Sequence, residues 1–73
     1  MAISIKDLDL RQAIIAKLNG VNQESLRETI TDAIQSKEEK TLPGLGVLFE
    51  ILWQNSSDQK QQEMLDIMVE NLS

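Results

Sequence analysis

The most constraining feature of this chain is an almost unbroken apolar run at residues 41–53, Thr-Leu-Pro-Gly-Leu-Gly-Val-Leu-Phe-Glu-Ile-Leu-Trp. The run contains both aromatic residues, the single proline and two of the three glycines. A segment that is apolar on most of its helical circumference is typical of a helix covered by its neighbours. We therefore expect residues 43–54 to form the central helix of the fold.

The pattern within the run predicts how this helix begins and which residues it buries. Pro43 suits the first turn, where its missing N–H breaks no hydrogen bond, and the Thr41 hydroxyl can cap the helix. Three residues without large apolar groups recur every four positions and predict one exposed ridge: Gly46, Glu50 and Gln54. The large apolar residues are expected to be mostly buried: Leu45, Leu48, Phe49, Leu52 and Trp53.

The two glycines of the run have a structural and a functional interpretation. Gly44 and Gly46 can allow close approach of a neighbouring helix or a nonhelical entry turn. A phosphate-binding loop would instead follow a strand and end in Lys-Ser or Lys-Thr, and this segment does neither. The sequence thus favours a structural role for the whole motif, and it predicts core residues rather than a ligand site at Pro43, Gly44, Leu45, Gly46, Phe49 and Trp53.

Three further segments have helical periodicity, at about residues 8–19, 23–35 and 58–72. Gly20 predicts a left-handed stop after the first, Asn22 a cap before the second, and residues 55–58 a turn before the last. Helix four is expected to pack back on helix three through its apolar positions: Met64, Leu65, Met68, Val69 and Leu72. Together these segments predict an all-α fold, a small bundle of four short helices in a single domain of residues 1–73, with residues 1–7 flexible.

Composition excludes several classes of function. The chain has no cysteine and no histidine, which removes thiolate nucleophiles, Cys/His zinc sites and the commonest proton-transfer side chain. The net charge is −5, and residues 41–73 carry one base and five acids. Without a basic surface for phosphate, nucleic-acid binding is not expected. The sequence predicts no catalytic, cofactor-binding or metal site, and a solvated face is the favoured interpretation of the helix-four carboxylates, Glu63, Asp66 and Glu70.

No targeting or membrane segment is expected either. The first six residues lack the basic and apolar regions of a secretory signal. The longest apolar stretch, residues 45–53, is interrupted by Glu50 and is much shorter than the roughly 20 residues that cross a bilayer.

Several blocks of sequence resemble the small acid-soluble spore protein I family of endospore-forming bacteria. The similarity covers about residues 9–72 and is carried by residues 10–16, 19–20, 29–36, 38–40 and 42–50 and by Trp53. The most specific blocks are Asp-Ala-Ile-Gln-Ser at residues 32–36 and Leu-Pro-Gly-Leu-Gly-Val-Leu-Phe-Glu at residues 42–50. The chain departs from the family pattern at Lys37, where glycine is expected. Because a left-handed stop strains a residue with a side chain, helix two is expected to run a turn longer.

The resemblance implies a minor, nonenzymatic protein of the forespore and spore core, without a cofactor and with an undefined molecular role. The chain is not similar to the alpha/beta-type spore proteins that coat DNA. Two hypotheses remain open: an accessory or packing protein that acts by weak contacts, or a specific module that docks a sporulation partner through Ile3, Ile5 and Leu8 or an edge of helix four. Self-association or a weak protein partner, unidentified, is compatible with both.

Overall fold

The computed structural model describes the backbone of residues 5–73 and the side chains from residue 10 onward. Within that part, the chain forms four α-helices and no strand, which confirms the all-α prediction. The helices are α1 (Ile5–Leu18), α2 (Gln23–Ser36), α3 (Leu42–Gln54) and α4 (Asp58–Leu72), with a short 3₁₀ helix at Glu39–Thr41 before α3. The predicted flexibility of residues 1–7 is not tested, and residues 1–4 lie outside the described part.

The ends of α1, α2 and α4 follow the predicted local chemistry. Gly20 adopts φ +80 after α1, a left-handed conformation that glycine reaches without strain. The Asn22 side chain accepts a 2.8 Å hydrogen bond from the backbone N–H of Ser25 and caps α2. Ser57 caps α4 in the same way, accepting from the backbone N–H of Lys60 at 3.2 Å. These caps confirm the predicted turns at residues 19–22 and 55–58.

The prediction that α2 continues past Lys37 was wrong. The helix ends at Ser36, and Lys37 takes the left-handed conformation itself, with φ 55 and ψ 26. Local hydrogen bonds hold this turn: Ser36 Oγ donates to the Ala33 carbonyl at 2.9 Å and accepts from the Glu38 N–H at 3.3 Å. The turn is therefore fixed by neighbouring polar groups despite the strain of a left-handed residue with a side chain.

Thr41 does not cap α3 as predicted. Its backbone is helical, and its hydroxyl donates backward to the Glu38 carbonyl at 2.7 Å. The 3₁₀ turn before α3 replaces a capping residue because it leads the chain directly into the helix, with Pro43 in the first turn.

Helix α3 is the centre of the packing, as predicted. It lies against α1, α2 and the 3₁₀ turn, and Val47 on its inward side is only 8% exposed. Arg11 of α1 reaches α3, where its Nε lies 2.9 Å from Glu50 Oε1. No sequence pattern indicated this ion pair, because the two residues are 39 positions apart.

Helix α4 packs sparsely against the other three helices. Its clearest link to α3 is a 2.7 Å hydrogen bond from Gln61 Nε2 to the Trp53 carbonyl. Of the five apolar positions predicted to pack, Met64 and Met68 are half-buried, whereas the other three are exposed: Leu65, Val69 and Leu72. The predicted packing of α4 on α3 is thus only partly realised.

The helices form an open arrangement for a chain of this size. The accessible surface is 6485 Å², whereas a compact monomer of 8.2 kDa would expose about 4,500 Å². The radius of gyration is 13.9 Å, compared with about 11 Å for a compact domain of this length. The protomer therefore leaves about 2,000 Å² more surface in solvent than a compact domain would.

Candidate functional site

The outward side of α3 carries a set of exposed apolar residues. Successive helical residues turn by 100°, so positions spaced by three and four share one side. On the side opposite Val47, Leu42 is 59% exposed, Phe49 42% and Leu52 53%. Leu45 and Trp53 at the edges of this side are half-buried, and Leu45 also lines the groove where α3 meets α1 and α2. We call this surface the α3 outer face, formed by Leu42, Leu45, Phe49, Leu52 and Trp53.

Several of the residues predicted to be core lie on this face instead. Phe49 and Leu52 are exposed, so their predicted burial was wrong. Pro43 is exposed as well, and Gly46 is exposed as the predicted ridge requires. Half-burial is observed for the remaining motif and core positions: Gly44, Leu45, Leu48 and Trp53.

The orientation of α3 has a physical explanation. A helix that is apolar on most sides has no unique inward face, and α1 and α2 each offer only a narrow apolar stripe to cover it. They lie beside Gly44, Leu45 and Leu48, which line a groove together with residues of both helices. Glu50, paired with Arg11 of α1, is half-buried. Of the predicted ridge, Gly46 and Gln54 are exposed and Glu50 is half-buried, but the apolar outer face beside it is exposed too.

The two aromatic residues of the outer face contact each other. The ring centroids of Phe49 and Trp53 lie 5.9 Å apart, with their planes inclined at 35°. This distance lies within the range that aromatic pairs prefer. The pair forms one end of the face, and part of each residue remains accessible to solvent.

Gly46 borders the outer face and makes no close helix crossing. A Cβ atom built on Gly46 meets no heavy atom within 4 Å, and the same is true of Gly44. The interpretation of Gly46 as a close-packing residue is therefore wrong within this protomer.

A groove of about 160 Å³ lies where α1, α2 and α3 meet. Apolar groups form most of its wall, and its polar side chains are Lys17, Thr29 and Thr41. Both threonine hydroxyls already donate to backbone carbonyls, Thr29 to Ser25 at 3.0 Å and Thr41 to Glu38. The groove thus brings together no nucleophile, base and orienting group of the kind that catalysis requires.

The charged side chains of the described residues form no chemical centre. Among these residues, no group of three or more carboxylates is arranged to hold a metal ion. On α4, Asp66 accepts a 3.1 Å hydrogen bond from Gln62 and is exposed, like Glu63 and Glu70. None of the helices in this part of the chain combines the length and hydrophobicity needed to span a membrane.

Comparison with known proteins identifies the family. The family model for small, acid-soluble spore protein I matches residues 8–72. A small, acid-soluble spore protein I of Bacillus velezensis is 64% identical over 59 residues, covering 81% of this chain and 83% of the relative. The Bacillus subtilis protein of the same name is 63% identical over 59 residues, with the same coverage.

A third relative extends the similarity along the chain. The small, acid-soluble spore protein I of Bacillus licheniformis is 54% identical over 66 residues, covering 90% of this chain and 94% of the relative. No solved structure matches this chain. The α3 motif and the flanking helices lie within the matched residues, and the chain belongs to the small, acid-soluble spore protein I family.

Proposed function

We propose that this protein is a noncatalytic accessory protein of the spore core that acts through apolar contacts with other protein molecules. Its family membership makes it a spore protein. The observation that carries the proposal is the α3 outer face, where the apolar motif points into solvent. Monomeric proteins rarely expose a contiguous apolar patch of more than a few hundred Å², and larger patches mark interaction sites.

The composition of the outer face supports contact rather than chemistry. Its five side chains contain one polar atom that can hydrogen bond, the indole nitrogen of Trp53. The groove beside it offers one amine and two hydroxyls that are already engaged. A surface of this kind can exclude water against another protein, but it supplies no acid, base or nucleophile.

Weak contacts are sufficient for such a role in a concentrated compartment. The fraction of an interface that is occupied depends on the ratio of partner concentration to dissociation constant. A spore core is expected to be dehydrated and crowded, so a contact with a dissociation constant of about 10⁻⁴ M would be formed there and lost on dilution. Packing by many weak contacts therefore requires no specialised binding pocket.

The second candidate function is a specific interaction module that docks a single sporulation partner. The defined boundary of the outer face favours it, since the apolar residues share one side of one helix instead of being scattered. The N-terminal version of this hypothesis relied on Ile3, Ile5 and Leu8, whose side chains lie outside the described residues.

Site-specific photocrosslinking in sporulating cells tests the proposal. A photoreactive residue replaces Leu52 on the outer face, and a matched control carries it at Gln59, an exposed polar position on α4. We expect protein crosslinks from position 52 in the forespore and few from position 59. Equal crosslinking at both positions would refute the proposal, because contact would then be independent of the apolar face.

The same experiment separates the two functions. Several crosslinked products from position 52 indicate general packing, and a single heterologous product indicates a specific partner. Fractionation of purified spores tests the compartment: the protein should remain with the core after the coats are removed. Recovery in the coat fraction alone would contradict the spore-core assignment.

A further inference from the structure

We propose that the α3 outer face is an interface between two copies of this chain, packed antiparallel about a two-fold axis that crosses the interface at the level of residue 47. This inference rests on the proposed function, since it names the protein molecule that contacts the face. Three features favour a second copy: the symmetric spacing of the face, its lack of charge and the large surface that the protomer leaves exposed.

The spacing of the apolar residues is symmetric. Leu42, Leu45, Phe49 and Leu52 are separated by three, four and three positions, the spacing of the paired seam in coiled coils. In an antiparallel pair centred on residue 47, Leu42 of one copy lies opposite Leu52 of the other. Leu45 then lies opposite Phe49. The two contacts recur on both sides of the axis, as a two-fold interface requires.

The border of the face allows two helices to approach. Gly46 lies beside the seam with open space around its Cβ position. A glycine there leaves room for a larger side chain of the facing helix. Antiparallel helices also bring opposite ends of their dipoles together.

Charge disfavours contact between two copies on most of the surface but not here. Each chain carries a net charge of −5, so two copies repel each other at long range. Glu50 is the single ionisable residue of α3, and it lies away from the outer face, paired with Arg11. Contact between two outer faces therefore buries no ionised group and incurs no desolvation of charge.

The protomer as a whole leaves more surface exposed than a stable dimer needs. A standard interface buries about 1,600 Å² in total, or about 800 Å² on each partner. Each protomer exposes about 2,000 Å² more than a compact domain of its mass. The outer face supplies part of the roughly 800 Å², and the exposed surface of the helices beside it must supply the rest.

Sedimentation equilibrium of the purified full chain tests the dimer. We expect the average mass to rise from one chain toward two as the protein concentration is raised through about 100 µM. Leu52→Glu places a carboxylate in the seam opposite Leu42 and should weaken association at least about 100-fold. The matched control, Ile67→Glu on α4, makes the same change at a similarly exposed residue and should leave the dimer intact.

Circular dichroism shows whether each variant stays folded. Because Leu52 is already 53% exposed in the protomer, Leu52→Glu should keep the helical signal. A wild-type chain that remains monomeric up to several hundred micromolar would overturn the proposal. So would equal weakening by Leu52→Glu and Ile67→Glu.

Disulfide trapping tests the orientation, since the natural chain has no cysteine. When a Leu42→Cys chain is mixed with a Leu52→Cys chain, we expect the disulfide between the two different variants to form fastest. Disulfides between two copies of the same variant should form more slowly. Faster formation of the two symmetric disulfides would indicate parallel helices and overturn the antiparallel arrangement.

The crosslinking experiment distinguishes failure of this inference from failure of the proposed function. A product of twice the chain mass from position 52 supports a second copy. A monomeric purified protein that crosslinks to a different protein in the forespore overturns the second copy but leaves the proposed function standing. No crosslink at position 52 overturns both.

Discussion

The two sides of α3 have similar hydrophobicity but different surroundings. Val47 on the inner side is 8% exposed, whereas Leu52 on the outer side is 53% exposed. Both sides come from the same apolar run of the sequence. The apolar pattern therefore predicts that α3 packs against other helices, but it does not predict how much of α3 is buried. That extent depends on the width of the apolar faces that α1 and α2 offer within one chain.

The largest expected effect comes from placing a charge on each side of α3 in turn. Val47→Asp buries an unpaired carboxylate and should cost about 3 kcal/mol or more. A domain of this size rarely has more than about 3–5 kcal/mol of stability, so the variant should be largely unfolded. The matched change Leu52→Asp should leave the protomer folded.

Urea unfolding followed by circular dichroism, at a protein concentration of a few micromolar, measures this contrast. Low concentration keeps any association between chains from contributing to stability. If Leu52→Asp destabilised the chain as much as Val47→Asp, the two sides of α3 would be equally buried and the comparison would fail.

The turn that leads into α3 gives the next largest effect. Lys37 holds φ 55, which costs a residue with a side chain about 1–2 kcal/mol relative to glycine. Lys37→Gly should therefore stabilise the fold by about 1 kcal/mol, after allowing for the greater flexibility of glycine in the unfolded chain.

Lys37→Ala is the control, since it removes the charge and the long side chain but keeps the Cβ. It should give no such gain in urea unfolding. Equal stabilisation by both variants would show that the lysine side chain, and not its backbone conformation, opposes the turn.

Substitution of Gly46, which lies between the two sides of α3, should have a smaller effect on stability. Its Cβ position is open, so Gly46→Ala should stabilise α3 by up to about 1 kcal/mol through helix propensity. The melting temperature at micromolar protein concentration should rise. A fall would restore the interpretation of Gly46 as a site of close helix packing. Gly44→Ala, in the first turn and equally open, provides a comparison with a smaller expected gain.

Local chemistry could be predicted from the sequence because it depends on neighbouring residues. Gly20, Asn22 and the turn before α4 behave as their side chains dictate. Lys37 did not, because hydrogen bonds from Ser36 hold a conformation that propensity disfavours. The left-handed stop was nevertheless at the position where the family pattern places glycine.

Long-range features could not be predicted in the same way. The Arg11–Glu50 contact joins residues 39 positions apart, and no periodicity relates them. The orientation of α3 was also undetermined, since Val47 and Phe49 are both apolar and either could face inward. The candidate site was therefore predicted as a segment but not as a surface: the motif of residues 42–53 was recognised, yet its outward half was assigned to the core.

The last prediction is that neither side of α3 binds DNA, so no measurable binding is expected. The helix carries no base, and two of the seven bases of the chain already have carboxylates close by. Arg11 lies 2.9 Å from Glu50, and Lys40 Nζ lies 3.5 Å from Glu38 Oε2. A surface that brought these bases toward phosphates would bring the carboxylates with them, so repulsion should offset attraction.

A mobility-shift assay on duplex DNA measures this. Nonspecific binders reach dissociation constants of about 10⁻⁴ to 10⁻⁶ M by neutralising several phosphates and releasing their counterions. We expect no saturable shift with protein in the tens of micromolar and no protection of the DNA from nuclease. A shift at low micromolar protein that disappears at higher salt would contradict the charge argument. Because dimerisation through the outer face would double the acidic charge to about −10, it should weaken contact with DNA further.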